Sequence, residues 1–178
     1  MLKTIIFALI ALLLAAIAVL VIVQPTKSLT TAIDIDAPPE RVWQVLTDFA
    51  AYPQWNPFVR RLAGEPRAGA RLEADIGNPG SEPMTFTPIV LVADAPHEFR
   101  WRGSLSVPRL FIGEHYFLLK PRSDGGTHLV HGELFKGALI PVMGEGFWND
   151  TRRGLEAMNI AMKARAEALP GPQVQSSR

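Results

Sequence analysis

Three titratable side chains stand out in the second half of the chain: His115 in GEHYFLLK, and His131 with Glu133 in THLVHGELF. Histidine changes charge near neutral pH, and residues two apart on a strand share a face, so these groups could do acid–base work. The same types also suit the polar end of a small-molecule pocket, where a few polar groups sit among apolar walls. A third reading needs no ligand: buried polar groups pair with one another or with backbone. Metal ligation has less support, because His-x-Glu on one strand is not a metal-specific spacing.

Alternation of charge fixes which way two of the strands face. In EFRWRG, Glu98, Arg100 and Arg102 share one face, leaving Phe99 and Trp101 inward. In GEHYFLLK, Glu114 and Lys120 mark the outer face and turn His115, Phe117 and Leu119 inward. The last strand is ambiguous by pattern alone: Leu129, His131, Glu133 and Phe135 form one face, His128, Val130, Gly132 and Leu134 the other.

The elements around these strands follow from punctuation. Turn signals at 64–69, 77–83, 94–98, 106–109 and 122–126 separate strand-like runs at 71–76, 84–94, 98–104, 112–120 and 127–135. Pro88 lies inside one run and implies an edge or a bulge there. Upstream, TAIDIDA at 31–37 reads as a strand, and PPERVWQVLTDF as a helix with Val42, Val45, Leu46 and Phe49 on one face. A long amphipathic helix over 145–169 carries Phe147, Thr151, Leu155, Met158, Met162 and Leu169 on one stripe. Gly154 interrupts it at about 1 kcal/mol relative to alanine, making room for a ligand or for close packing. Between the first helix and the sheet, AYPQWNPFV sets Tyr52, Trp55 and Phe58 on a turn that Pro53 and Pro57 break. These aromatics serve as core, as the rim of a pocket, or as both.

The 178 residues carry a formal charge of +1, and the basic pairs Arg60-Arg61 and Arg152-Arg153 are too sparse for phosphate recognition, so nucleic acid is not an expected partner. With no cysteine, disulfides and thiol chemistry are excluded, while no serine-hydrolase elbow, P-loop or dinucleotide fingerprint is present. No cofactor and no metal are expected. Residues 4–23 are uncharged and apolar, long enough as a helix to cross the roughly 30 Å of a bilayer core. A cleaved signal peptide is the competing reading, but its apolar region is shorter, about 7–15 residues, and ends in small residues rather than the bulky VLVIVQP. Lys3 precedes the segment and acidic residues follow it, which favours an extracytoplasmic C-terminal domain on a single-pass anchor. The expected organisation is an anchor and linker over 1–27, with a polar linker through residue 30, a ligand-binding domain over 28–169, and a disordered tail over 170–178.

DAPPERVWQVLTDFAAYPQWNPFV resembles the opening of the SRPBCC superfamily, the START and Bet v 1-like helix-grip proteins that include polyketide cyclase/dehydrase-like members. GEHYFLLKP, GGTHLVHGELFKGALIP and GLEAMNIAMKARAE are similar to the later strands and terminal helix of small bacterial members, so the likeness covers roughly residues 30–168. The resemblance implies an α+β helix-grip: an antiparallel sheet of about six to seven strands curving around the C-terminal helix, with an apolar cavity between them. The family pattern, with Phe135, turns His131 and Glu133 inward. The expected ligand contacts are then Tyr52, Trp55, Phe58, Phe86, Phe99, Trp101, His115, Phe117, His131, Glu133, Phe135, Leu155 and Met158. The leading expectation is binding or transfer of a hydrophobic small molecule. The alternative is a cyclase/dehydrase-like enzyme with His131, Glu133 and His115 as candidate catalytic groups. Protein partners are not assigned by either.

Overall fold

The computed structural model describes residues 1–78 and 80–168, so the tail expected over 170–178 and Leu169 of the apolar stripe lie outside the described residues. The elements run α1 (Leu2–Val23), β1 (Thr26–Ile35), α2 (Pro39–Thr47), a 3-10 turn (Phe49–Ala51), α3 (Tyr52–Trp55), β2 (Val59–Ala63), β3 (Glu73–Ile76) and β4 (Met84–Phe86). They continue through β5 (Ile89–Asp94), β6 (Glu98–Ser104), β7 (Ile112–Pro121), β8 (Thr127–Lys136), a second 3-10 turn (Ile140–Val142) and α4 (Glu145–Ala168).

The strands form two antiparallel sheets, β1-β8-β7-β6-β5 and β2-β3-β4, rather than the single sheet expected. Pro88 explains the division. It has no N–H to donate to a ladder, so the run 84–94 breaks into β4 and β5, which turn to different partners. The sheets stay joined at the β5 edge, where Gly69 and Leu72 donate their N–H groups to the carbonyls of Val90 and Pro88, at 2.9 and 2.8 Å. The extra strand β2 was hidden because Arg60 and Arg61 are consecutive and break the alternation. A register shift between Val59 and Arg61 accommodates both. Arg61 then pairs with Glu73 and Asp75, while Arg60 donates to the carbonyls of Asn78 and Ser81 and pins the loop after β3.

β1 begins at Thr26, so most of the segment expected as a polar linker is strand paired with β8, from Thr26 opposite Lys136 to Ile35 opposite Thr127. α4 lies against the five-stranded sheet and buries Trp148, Leu155, Met158, Met162 and Ala166, with Gly154 and Asn159 on the same buried side. α2 starts at Pro39, whose fixed φ suits a first helical turn, and buries Val42, Val45 and Leu46. The core between these layers includes Leu29, Ile35, Phe99, Phe117, Leu119 and Leu129, all 3% exposed or less. α1 is long and apolar enough to cross a membrane, and none of its most apolar stretch is buried against the domain.

Candidate functional site

Strand register builds the polar cluster. Trp101, His115 and Glu133 lie directly opposite one another across β6, β7 and β8, and Phe99, Phe117 and His131 form the next row on the same face. Cross-strand neighbours on one face are close enough to interact, and here they stack. The His115 ring lies 4.7 Å from Trp101 and the His131 ring 4.2 Å from Phe117, both nearly parallel. The histidines are diagonal neighbours, and their Nε2 atoms meet at 2.5 Å.

A chain of hydrogen bonds extends from this pair into α4. His131 Nδ1 is 2.6 Å from Asn159 Oδ1, Asn159 Nδ2 donates to Thr31 Oγ1 at 2.9 Å, and the Thr31 hydroxyl donates to the carbonyl of His131 at 2.9 Å. At the other end, Glu133 Oε2 lies 3.6 Å from His115 Nδ1, which has no hydrogen-bond partner and is buried. Burial shifts every titration here towards the neutral form. It holds His131 down to about 4, the hydrogen bond to Asn159 opposing; it pushes His115 well below its ordinary value, the neighbouring His131 adding to the effect; and it raises Glu133 to about 8. Among the described residues no three metal-ligating side chains converge.

Glu133 alone of the three reaches open space. A cavity of about 470 Å³ opens beside it, with apolar walls that include Phe58, Phe86, Phe111, Phe135, Leu139 and Met143. Asn78, Ser81, Glu82, Asp150 and Thr151 give its rim polar groups. A smaller recess of about 40 Å³ runs on from Glu133 to Trp101 and Gly113. Gly113 leaves room for that carboxyl: a Cβ at this position would press on Glu133 Oε1 and make the side chain shift.

Of the ligand contacts expected from sequence, the structure places Phe58, Phe86, Trp101, Glu133 and Phe135 on these walls. His115 and His131 stand one layer behind Glu133. Tyr52 is elsewhere: it is fully buried, and its hydroxyl donates to the carbonyl of Leu46 at 2.6 Å, fixing the turn after α2. Trp55 packs edge-on against Tyr52, 5.0 Å between ring centroids, and does not line this cavity. Phe99, Phe117, Leu155 and Met158 are 0% exposed core, facing other core side chains instead of the cavity. Of the broken segment only Phe58 touches the cavity. Its ring lies on Gly154 of α4, where any Cβ would overlap it, so that glycine serves close packing.

Sequence reasoning missed Asn159 and the wall formed by Ile76, Leu105, Phe111, Leu139 and Met143, while Phe147, read only as part of the α4 stripe, also lines it. Asn159 interrupts an apolar stripe, a signal that could have found it. The wall residues come from loops and element ends, where no periodicity shows direction.

The sequence from 26 to 169 matches the model of the polyketide cyclase/dehydrase and lipid transport family. The chain belongs to that family. Solved structures agree on the fold. A START superfamily protein from Mycobacterium smegmatis aligns at 22% identity and TM-score 0.65, over 80% of this chain and 99% of that one. The ZhuI aromatase/cyclase from Streptomyces sp. R1128 aligns at 18% identity and 0.64, over 80% and 94%. Norcoclaurine synthase from Thalictrum flavum, solved with dopamine and hydroxybenzaldehyde, aligns at 12% and 0.63, over 86% and 94%. No curated protein matches the chain. At such identities the shared property is the helix-grip architecture, and function has to come from the site.

Proposed function

We propose that this family member binds or transfers a hydrophobic small molecule, a lipid or an isoprenoid- or polyketide-like compound, and that α1 tethers it to a membrane with the domain on the extracytoplasmic side. The cavity of about 470 Å³ carries this reading, because its walls are mainly phenylalanine, leucine and methionine and only Glu133 offers a titratable group at its inner end. Each methylene buried in such a space contributes about 0.8 kcal/mol, so a short apolar chain suffices for binding.

The position of the tether supports the membrane part. α1 ends at Val23, and the carbonyl of Pro25 accepts the N–H of Gly137 at 3.0 Å. The same β8 extension donates from Ala138 and Leu139 to the carbonyls of Arg109 and Leu110, at 3.0 and 3.1 Å. Those segments flank the cavity and expose Val107, Val142 and Phe147 at 58, 70 and 37%. The membrane attachment and the apolar rim thus share one end of the domain, which shortens the path of an apolar ligand from bilayer to pocket.

Native mass spectrometry of the full chain, released from the membrane in which it was made, tests the proposal. A stoichiometric adduct of an apolar molecule is expected, and reproducibly bare protein contradicts it. A second reading, cyclase/dehydrase-like catalysis, is favoured by one observation: the cavity-facing Glu133 carboxyl is raised to about 8, in the range of a general acid or base. Loss of turnover by orders of magnitude in Glu133→Gln with ligand affinity retained would select that reading.

A further inference from the structure

Only Gln24 stands between the end of α1 at Val23 and Pro25, the first residue held by the domain, whose carbonyl accepts the N–H of Gly137. Two residues reach at most about 7 Å. The 22 residues of α1 span about 33 Å, close to the roughly 30 Å of a bilayer core, so an anchored chain has Val23 at the edge of that core and Pro25 within the headgroup layer. Sheet register carries this level across the domain. Thr26 of β1, Lys136 of β8, Ile112 of β7 and Ser104 of β6 lie directly opposite one another, so four strands end along one line, about 15 Å wide at the usual strand spacing. Two segments project beyond that line, residues 105–111 and 137–144, and neither contains a carboxylate. Backbone hydrogen bonds from Ala138 and Leu139 to Arg109 and Leu110 join them. They expose Val107 and Val142 at 58 and 70%. Arg109 and Lys136 are exposed as well and make no ion pair among the described residues, while Glu145, which follows the second segment, is paired with Lys27 at 3.6 Å. The opposite end of the sheet is charged differently: Asp34, Asp36, Asp124 and Glu167 gather there around Arg122 and Lys163.

We propose that these two segments form a lipid-contacting face: Val107 and Val142 enter the apolar edge of the bilayer that α1 crosses, Arg109 and Lys136 meet lipid phosphates, and the cavity, walled by Leu105, Phe111, Leu139 and Met143 of the same segments, opens into the headgroup layer. The inference rests on α1 being a membrane anchor and goes beyond it by naming the face that lies on the bilayer. Such a face is stabilised by burying its apolar side chains at the interface while the cationic heads stay at the level of the phosphates. The short tether adds to this, since it holds the face beside the surface at all times.

The chain has no cysteine, so single introduced thiols can carry a nitrobenzoxadiazole dye whose emission shifts to the blue in apolar surroundings. Full-length Val107→Cys and Val142→Cys are labelled, with Ala11→Cys in the middle of α1 and exposed Ser123→Cys, roughly 30 Å away along β7, for comparison. Each is reconstituted into vesicles of phosphatidylcholine and phosphatidylglycerol that contain lipids bearing a nitroxide, either shallow or deep in the acyl chain. The shallow nitroxide should quench the dye at 107 and at 142 at least about threefold more than at 123, and the deep one should quench it at 11. Adding Arg109→Glu with Lys136→Glu should lower the quenching at 107 and 142, and unchanged values would overturn the phosphate contacts. Quenching at 107 and 142 no greater than at 123, with the dye at 11 quenched, overturns the lipid face and leaves the anchor standing. A blue shift at 107 and 142 without quenching by lipid overturns it too, because a second copy or another protein then covers the face. A dye at 11 that escapes the deep nitroxide removes the anchor and the face together.

Discussion

His115 and His131 meet Nε2 to Nε2 at 2.5 Å, and this contact holds only while at least one of the two lone pairs is free. It makes the interior of the sheet a protonation-dependent joint. Protonating His131 forces two N–H groups against each other in a site stacked between Trp101 and Phe117.

Stability should therefore peak near neutrality. His131 titrates at about 4 when folded, so below about 6.5 the unfolded chain takes up a proton the native state refuses, and stability falls by on the order of 3 kcal/mol as pH drops from there to about 4. His115, also lowered by burial, acts in the same direction. Glu133 acts oppositely: its folded value of about 8 exceeds the unfolded one, so its contribution is present below about 4.5 and lost as pH rises to 8. Two histidines outweigh one carboxyl between about 4.5 and 6.5, which places the maximum near pH 6.5. Urea unfolding at pH 5, 6.5 and 8 reads the curve, and Glu133→Gln should abolish the decline on the alkaline side.

Asn159→Leu should destabilise the fold by about 1–3 kcal/mol despite adding apolar volume, because it strips the Nδ1–H of His131 of a side-chain acceptor and Thr31 of a donor. The imidazole Nδ1–H resonance of His131 should also move. An unchanged denaturation midpoint would show that the chain into α4 carries no weight.

Gly154→Ala should lose about 1–2 kcal/mol even though alanine is the better helix former by about 1 kcal/mol, since overpacking typically costs more than that gain. The added Cβ overlaps the ring of Phe58. Combining it with Phe58→Leu should recover part of the loss, and thermal melting of the single and double variants measures it.

Leu139→Trp should fill the cavity. Leu139 lines the cavity together with Phe135 and Phe147, so an indole there occupies ligand space. Octanol affinity should drop at least tenfold while stability holds or rises, since the added surface is buried in an existing void. Undiminished binding would place the ligand elsewhere.

How legible this was depended on whether a residue's neighbours were local. Alternation in EFRWRG and GEHYFLLK was enough to turn Phe99, Trp101, His115 and Phe117 inward, and helical spacing was enough for α2 and α4, because both signals live within one element. The division of inward residues between core and cavity was not legible. Tyr52 and Phe58 are six residues apart and similar in chemistry, yet one is locked to the Leu46 carbonyl and the other lies on α4 beside the void. Which of them meets a ligand depends on how α4 packs over the broken segment, which is set by the contact of Phe58 with Gly154 and by contacts across the whole domain.

Xenon pressurisation of crystals of the protein tests the hollow most directly, because xenon enters apolar voids without needing any particular chemistry. The account predicts a bound xenon among Phe58, Phe111, Phe135 and Met143. A site left empty, with Phe111, Met143 and Phe147 closed over the space, would contradict it.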